Sequence, residues 1–266
     1  MRRSSTLAAL LGMAACTAQA ADLPQPVPPP APPEAGSARP DWALQVTPYL
    51  WASGLNGRVS PFRLAPTVHV EKSFGDVMKN FNIGGFLHVW ARKGSFVANA
   101  DIMYVSTTDS HSVDPLPFVG SVRARLTTGL FYATLVGGYR VLDVGPVTFD
   151  ALAGGRLWNV SNRASIDFAF VSLGFAKSLT WVDPVVGGRA FWRLTDAFSI
   201  QAQGDIGGFG AGSKLTWQAL GTLNYAFAEH FSASLGYKVL RTNYARGGYV
   251  FDVTMSGPVL GVTYRF

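Results

Sequence analysis

The segment Gly257-Pro258-Val259-Leu260-Gly261-Val262-Thr263-Tyr264-Arg265-Phe266 decides the fold. Its apolar side chains fall at every second position, Leu260, Val262, Tyr264 and Phe266, with Thr263 and Arg265 between them. A period of two sends alternate side chains to opposite faces of a β-strand, whereas a helix would scatter the same residues around its cylinder. The preceding segments repeat the pattern. In 231–240, Ser232, Ser234 and Lys238 oppose Phe231, Ala233, Leu235, Tyr237 and Val239. In 214–225, Lys214, Thr216, Gln218, Thr222 and Asn224 oppose Leu215, Trp217, Ala219, Leu223 and Tyr225, and in 199–206 the polar set is Ser199, Gln201, Gln203 and Asp205.

Fainter versions run back to the start of the folded region. Gln45, Thr47, Tyr49 and Trp51 face away from Leu44, Val46, Pro48 and Leu50. Asn99 and Asp101 share a face, as do Asp150 and Arg156. Trp181, Asp183, Arg189 and Arg193 lie opposite Val182, Val186, Ala190, Trp192 and Leu194.

Composition agrees with this pattern. Of 266 residues 48% are hydrophobic and only 14% charged, against about 25% charged in soluble domains. That balance excludes a disordered chain and a charged coiled coil. No segment after the N-terminal one offers the roughly 18 continuous apolar residues of a spanning helix. The chain's 29 Gly, 18 Phe, 7 Trp and 9 Tyr suit aromatic strands instead.

A soluble sandwich and a transmembrane barrel both fit alternating antiparallel strands. Soluble strands average about five or six residues, while spanning strands need about 9 to 11. Segments of roughly 10 to 18 residues between turn signals favour the barrel, whose apolar face meets lipid and whose polar face meets the lumen.

The N-terminus points to export. Met1-Arg2-Arg3 is a positive n-region, 7–15 is a short apolar core, and Ala18-Gln19-Ala20 fits the small-x-small cleavage rule, so 1–20 reads as a signal peptide. Met13-Ala14-Ala15-Cys16 offers a competing lipobox in which Cys16 would be lipidated; cleavage after Ala20 would leave no cysteine. Residues 21–40 hold eight of the 16 prolines and read as an extended periplasmic tether, with a ligand for a proline-binding module as the alternative. The folded domain is then 41–266.

The terminal Phe266 with the alternation before it resembles the C-terminal strand of bacterial outer-membrane barrels, and the whole pattern resembles the small opacity-type, porin-like barrels of Gram-negative bacteria. This resemblance covers 42–266. It implies the cell outer membrane as location, lipid and lipopolysaccharide as surroundings, and assembly machinery that reads Tyr264 and Phe266. It specifies fold and location, not activity.

The fold class is therefore an all-β, transmembrane, antiparallel up-and-down β-barrel. Residues 92–94, 142–146, 195–197 and 229–230 read as short turns, while 107–120 and 160–177 read as long loops, with shorter ones near 208–212 and 246–248. Both chain ends on one side force an even strand number. The assignment gives about ten strands, with 54–81 as a long first excursion that includes a short helix at 74–80. A hairpin in that excursion would make the count 12 if it joined the wall, and eight also stays open.

Ten charged residues fall on the lumen face: Arg92, Asp101, Arg140, Asp150, Arg156, Asp183, Arg189, Arg193, Asp205 and Lys238. Charges in a narrow interior are costly unless paired, so Arg–carboxylate pairs are expected. A salt-bridged filling is the favoured reading and an anion-biased pore lining the alternative.

Catalytic signatures are weak. His69, His88, His111 and His230 show no metal-ligand spacing. His111 between Ser110 and Ser112 is the only suggestive cluster, and loop composition explains it. The Gly207–Lys214 stretch lacks the P-loop order and a following helix, so no cofactor, metal or nucleotide is expected. The net charge of +6 is scattered, with no basic stripe for nucleic acid; exposed Arg163, Arg241 and Arg246 suit lipopolysaccharide phosphates. The reading is a non-enzymatic barrel, structural or porin-like, with a lipid-modifying or proteolytic barrel enzyme as the alternative. Oligomeric state is not legible.

Overall fold

The computed structural model describes residues 42–60, 63, 66–116, 120–167 and 172–266. The signal peptide, Cys16 and the proline-rich tether lie outside the described residues. In chain order the elements are β1 (Trp42–Trp51), β2 (Gly54–Ser60), β3 (Val68–Lys72), α1 (Phe74–Lys79), β4 (Phe81–Lys93), β5 (Phe96–Leu116), β6 (Gly120–Val144), β7 (Val147–Asp167), β8 (Ser172–Arg193), β9 (Phe198–Gly207), β10 (Leu215–Ala226), β11 (Phe231–Arg246) and β12 (Tyr249–Arg265).

Among the described residues β1 and β4 to β12 pair antiparallel with their chain neighbours, and β1 pairs β12 from Gln45↔Arg265 to Trp51↔Val259, closing a ten-stranded barrel. Closure is required because hydrocarbon offers an unpaired backbone amide no partner. The first excursion holds the expected helix, started by Ser73, whose side chain accepts from the Asp76 N–H while Asp76 accepts from the Ser73 N–H. It also holds a hairpin. β2 takes over from β1 along β12, from Gly54↔Ser256 to Ser60↔Val250, and β3 pairs β2. The hairpin thus adds two strands to the outer half of the wall, while closure stays with ten.

The lipid face follows from side-chain parity. Outward positions in 42–50, 83–91, 96–104, 131–141, 149–157, 182–192, 198–206, 215–225, 231–239 and 258–266 carry no Asp, Glu, Lys or Arg. They include exposed Leu50, Ile83, Phe96, Leu135, Val182, Ile206, Leu235 and Leu260. A charge there costs about 2–4 kcal/mol at the bilayer midplane. Beyond the band the outward residues turn polar, as Thr127 and Arg125 on β6, Asn159, Ser161 and Arg163 on β7, and Thr180 and Ser178 on β8. At the end with the short turns, aromatic rings pair along the rim: Phe96 with Tyr139 (5.5 Å), Phe198 with Tyr225 (5.0 Å), and Tyr264 with both Phe231 (5.0 Å) and Phe266 (4.6 Å). Such girdles mark a membrane–water interface.

One expectation about the strands is corrected. Residues 107–116 and 160–167, assigned to long loops, continue β5 and β7, and 172–177 begin β8. At 25 residues β6 reaches about 80 Å at ~3.3 Å per residue, far beyond an apolar band of about 25 Å. Beyond that band the outward residues meet water while Trp158, Val160 and Leu179 stay buried inward, so the pattern set by lipid reverses and the outward Ser, Thr, Asn and Arg look like loop composition. Gly208 leaves β9 with φ of +88° and turns the chain into the β9–β10 loop, where the short loop near 208–212 was expected.

Gly154 shows why glycine is needed inside the wall. A Cβ there would stand 2.2 Å from the Leu135 carbonyl oxygen of β6, so a side chain forces the strands apart. Outward Gly85 has nothing within 4 Å of its would-be Cβ. Gly154→Ala should lower stability by about 2 kcal/mol in urea unfolding from lipid vesicles, while Gly85→Ala leaves the midpoint unchanged.

Candidate functional site

The lumen is the candidate site, and its content changes along the axis. At the end carrying Trp42 and Arg265 it opens into a polar cavity of about 200 Å³. Gln45 and Thr47 of β1, Gln201 and Gln203 of β9, Gln218, Thr222 and Asn224 of β10, and Ser232 and Ser234 of β11 line it, with Arg193 and Arg265. Each points inward because it occupies the parity opposite the lipid-facing residue beside it.

Four carboxylates organise the layer beyond. Asp101 accepts from the hydroxyls of Tyr49 and Tyr132, each at 2.7 Å, and from Lys238 Nζ; Lys238 also donates to both tyrosine oxygens. This cluster joins β1, β5, β6 and β11. Fully buried Arg156 places Nη2 2.8 Å from both Asp205 oxygens and donates to Thr134 and Thr216. Fully buried Asp150 meets Arg140 Nε at 2.8 Å, Arg189 Nη1 at 3.6 Å and the Trp90 indole N–H at 3.4 Å, with the Arg189 cation 4.7 Å over the Trp90 ring.

Asp183 departs from the expected pairing. No cation bonds to it among the described residues; it accepts instead from the Ser213 N–H (2.6 Å), the Ser213 hydroxyl (2.7 Å) and the Trp181 indole (3.2 Å). Ser213 belongs to the β9–β10 loop, which folds inward to supply these donors. The remaining two candidates sit near the rim: Arg92 donates to the Gly94 carbonyl, and Arg193 lines the cavity.

Above this layer the lumen is apolar, contrary to a polar lining throughout. Trp158, Trp181 and Tyr244 stack, with ring centroids 5.7 and 4.1 Å apart, Tyr132 tilts against Trp158 at 5.5 Å, and Phe251 stands edge-on to both tryptophans. Trp51, Met103, Leu240, Val253 and Met255 pack around them. Sequence reasoning missed this plug because Trp51 shares a strand face with Gln45 and Thr47, and Trp181 with Asp183 and Arg189, so both faces read as polar. The signal was on β12, where Phe251, Val253 and Met255 alternate with no lipid-facing partner set.

The histidines do not assemble a reactive centre among the described side chains. His88 faces the lumen with Nε2 3.0 Å from Asn99 Nδ2, and His230 Nδ1 lies 2.9 Å from the Arg265 carbonyl oxygen in a turn. His69 pairs with Arg58 across β2 and β3, and His111 lies on β5, not in a loop. Among the described residues no group of three or more His, Cys, Asp or Glu could hold a metal.

No family model and no curated protein sequence matches the chain. Solved structures do. The outer membrane protease OmpT from Escherichia coli aligns at a TM-score of 0.52 and 11% identity, over 85% of this chain and 97% of that one. The translocator domain of the autotransporter NalP from Neisseria meningitidis aligns at 0.40 and 10% identity, over 86% and 90%. Neisserial surface protein A aligns at 0.29 and 12% identity, over 85% and 97%. The first of these likenesses shows the fold, that of a Gram-negative outer-membrane β-barrel.

The Asp101 cluster gives a direct test. Lys238→Met leaves a buried carboxylate without its cation and should cost about 3–5 kcal/mol in urea unfolding from vesicles. Adding Asp101→Asn removes that stranded charge, so the double variant should recover about 2 kcal/mol or more of the loss.

Proposed function

We propose that the protein is a non-enzymatic outer-membrane barrel whose lumen is filled, a structural element of the membrane and not a free-diffusion pore. The carrying observation is the Tyr132–Trp158–Trp181–Tyr244 ring cluster lying across the lumen beyond the carboxylate layer. Ions cross a pore only where water or fixed polar groups replace their hydration, and an apolar constriction blocks them by dewetting. The buried charges support the same reading. Asp101, Asp150 and Asp205 are each engaged by a cation within the wall, so they act as internal ties and leave little field for a passing solute.

On this reading lipid and lipopolysaccharide surround the apolar band, with exposed Arg241 and Arg246 at the level of lipopolysaccharide phosphates. The barrel assembly machinery reads the alternating β12 with Tyr264 and Phe266.

Planar-bilayer recording of the purified barrel is the test. The filled-lumen reading expects no steady conductance from wild type, and channel openings from Trp158→Ala combined with Trp181→Ala, which removes two stacked rings. Steady ohmic conductance in wild type, with a reversal potential under a salt gradient, would establish the pore reading instead.

A further inference from the structure

The outer parts of β5 to β8 form a four-stranded sheet that outruns the rest of the wall. β9 accompanies β8 only along Val185–Arg193. The β9–β10 loop reaches slightly further, where the Gly208 N–H donates to the Pro184 carbonyl and Ser213 bonds Asp183. Residues 172–181 therefore pair β7 on one side and, among the described residues, no strand on the other.

Every residue from 172 to 178 is exposed, whichever face it occupies, including Leu173 at 47% and Phe175 at 57%. Proteins usually blunt such an edge with proline, a bulge, charges or a covering segment, because its free N–H and C=O groups are a template for another strand. This stretch has no proline, a single charge at Lys177, and an unbroken register with β7 from Val147↔Trp192 to Asp167↔Ser172.

We propose that residues 172–180 of β8 are a docking edge for an extended acidic segment of another polypeptide, which joins the projecting sheet as an added strand. Addition of a strand would satisfy the free backbone groups, and alternate side chains would set specificity. Leu173, Phe175, Lys177 and the buried Leu179 share one face of the edge, while Ser172, Gly174, Ala176 and Ser178 share the other. The fitting segment therefore alternates apolar with small polar residues.

Charge selects its acidity. Arg163 on β7 stands opposite Ala176 of β8, and neither it nor Arg125 makes an ion pair among the described residues, while Lys177 lies over the Tyr249 ring. Of the nearby acids, Asp109 is paired by Lys72 and bonded by Asn80, which leaves Asp167, accepting from the Ser172 hydroxyl, as a single negative charge against Arg125, Arg163 and Lys177. A second copy fits poorly. Two barrels in one membrane point β8 in the same direction, and a two-fold axis along the membrane normal would set N–H against N–H at each height.

The probe is a fluorescent peptide of alternating valine and threonine carrying several glutamates, titrated onto the full chain in lipid nanodiscs. The proposal expects saturable binding and slowed hydrogen exchange at the amides of 172–180. Methylating alternate peptide nitrogens, in each of the two registers, should abolish binding in one register. The pair Arg163→Glu and Lys177→Glu should weaken binding about tenfold or more, with heat-modifiable gel migration showing that this variant is folded. Equal binding by both methylated peptides, unchanged exchange at 172–180, no saturation up to millimolar peptide, or dimers that exclude the peptide would each overturn it.

Discussion

Hydrocarbon cannot hydrogen-bond a peptide group, and the rest of the architecture follows from that constraint. Every strand crossing the bilayer needs a neighbour on each side, so the first and last strands must find each other. The ladder from Gln45↔Arg265 to Trp51↔Val259 meets this need. It also fixes which way side chains point, because one-residue slippage would turn every lipid-facing Leu and Val inward and every lumen charge outward. The charge-free outer band and the buried Asp, Arg and Lys residues are thus two results of one register.

Closure then creates a second problem, the narrow interior. A ten-stranded barrel leaves a lumen that side chains can largely fill, and here two chemistries divide it. Ion pairs and hydrogen-bonded carboxylates take the middle, and stacked rings take the outer part. The inward β9–β10 loop belongs to this filling, since Ser213 gives Asp183 the donors that no cation supplies. The wall relaxes on the terminal side, where amides and hydroxyls line a cavity.

How much was legible follows from where each residue sits. Strands β9 to β12 were readable because lipid lies on one face and a polar interior on the other, so alternation is clean in Ser199–Gln203 and Leu215–Tyr225. The outer halves of β5 to β8 were not, since there Asn159 and Ser161 face water outward while Trp158 and Val160 are buried inward, the reverse of the polarity that lipid imposes lower down. The inward direction of Asp101 and Lys238 was readable from parity. Their partnership was not: they stand 137 residues apart and meet only through the closed barrel. Trp158 in the plug was equally opaque, because a lumen-facing tryptophan looks the same in sequence whether it stacks or lines water.

The Asp101 cluster also bears on the order in which the molecule forms. Its members come from β1, β5, β6 and β11, so they cannot all meet until the last strands have swung round to the first. Before that moment Asp101 and Lys238 remain separately charged and must stay in contact with water, because an isolated ion in a low-dielectric interior is prohibitively expensive. Dehydration of the lumen is therefore a late event, coupled to the joining of β1 and β12. The cluster works as a latch: while the wall is open it contributes nothing, and once closed it resists reopening at the seam where reopening would start.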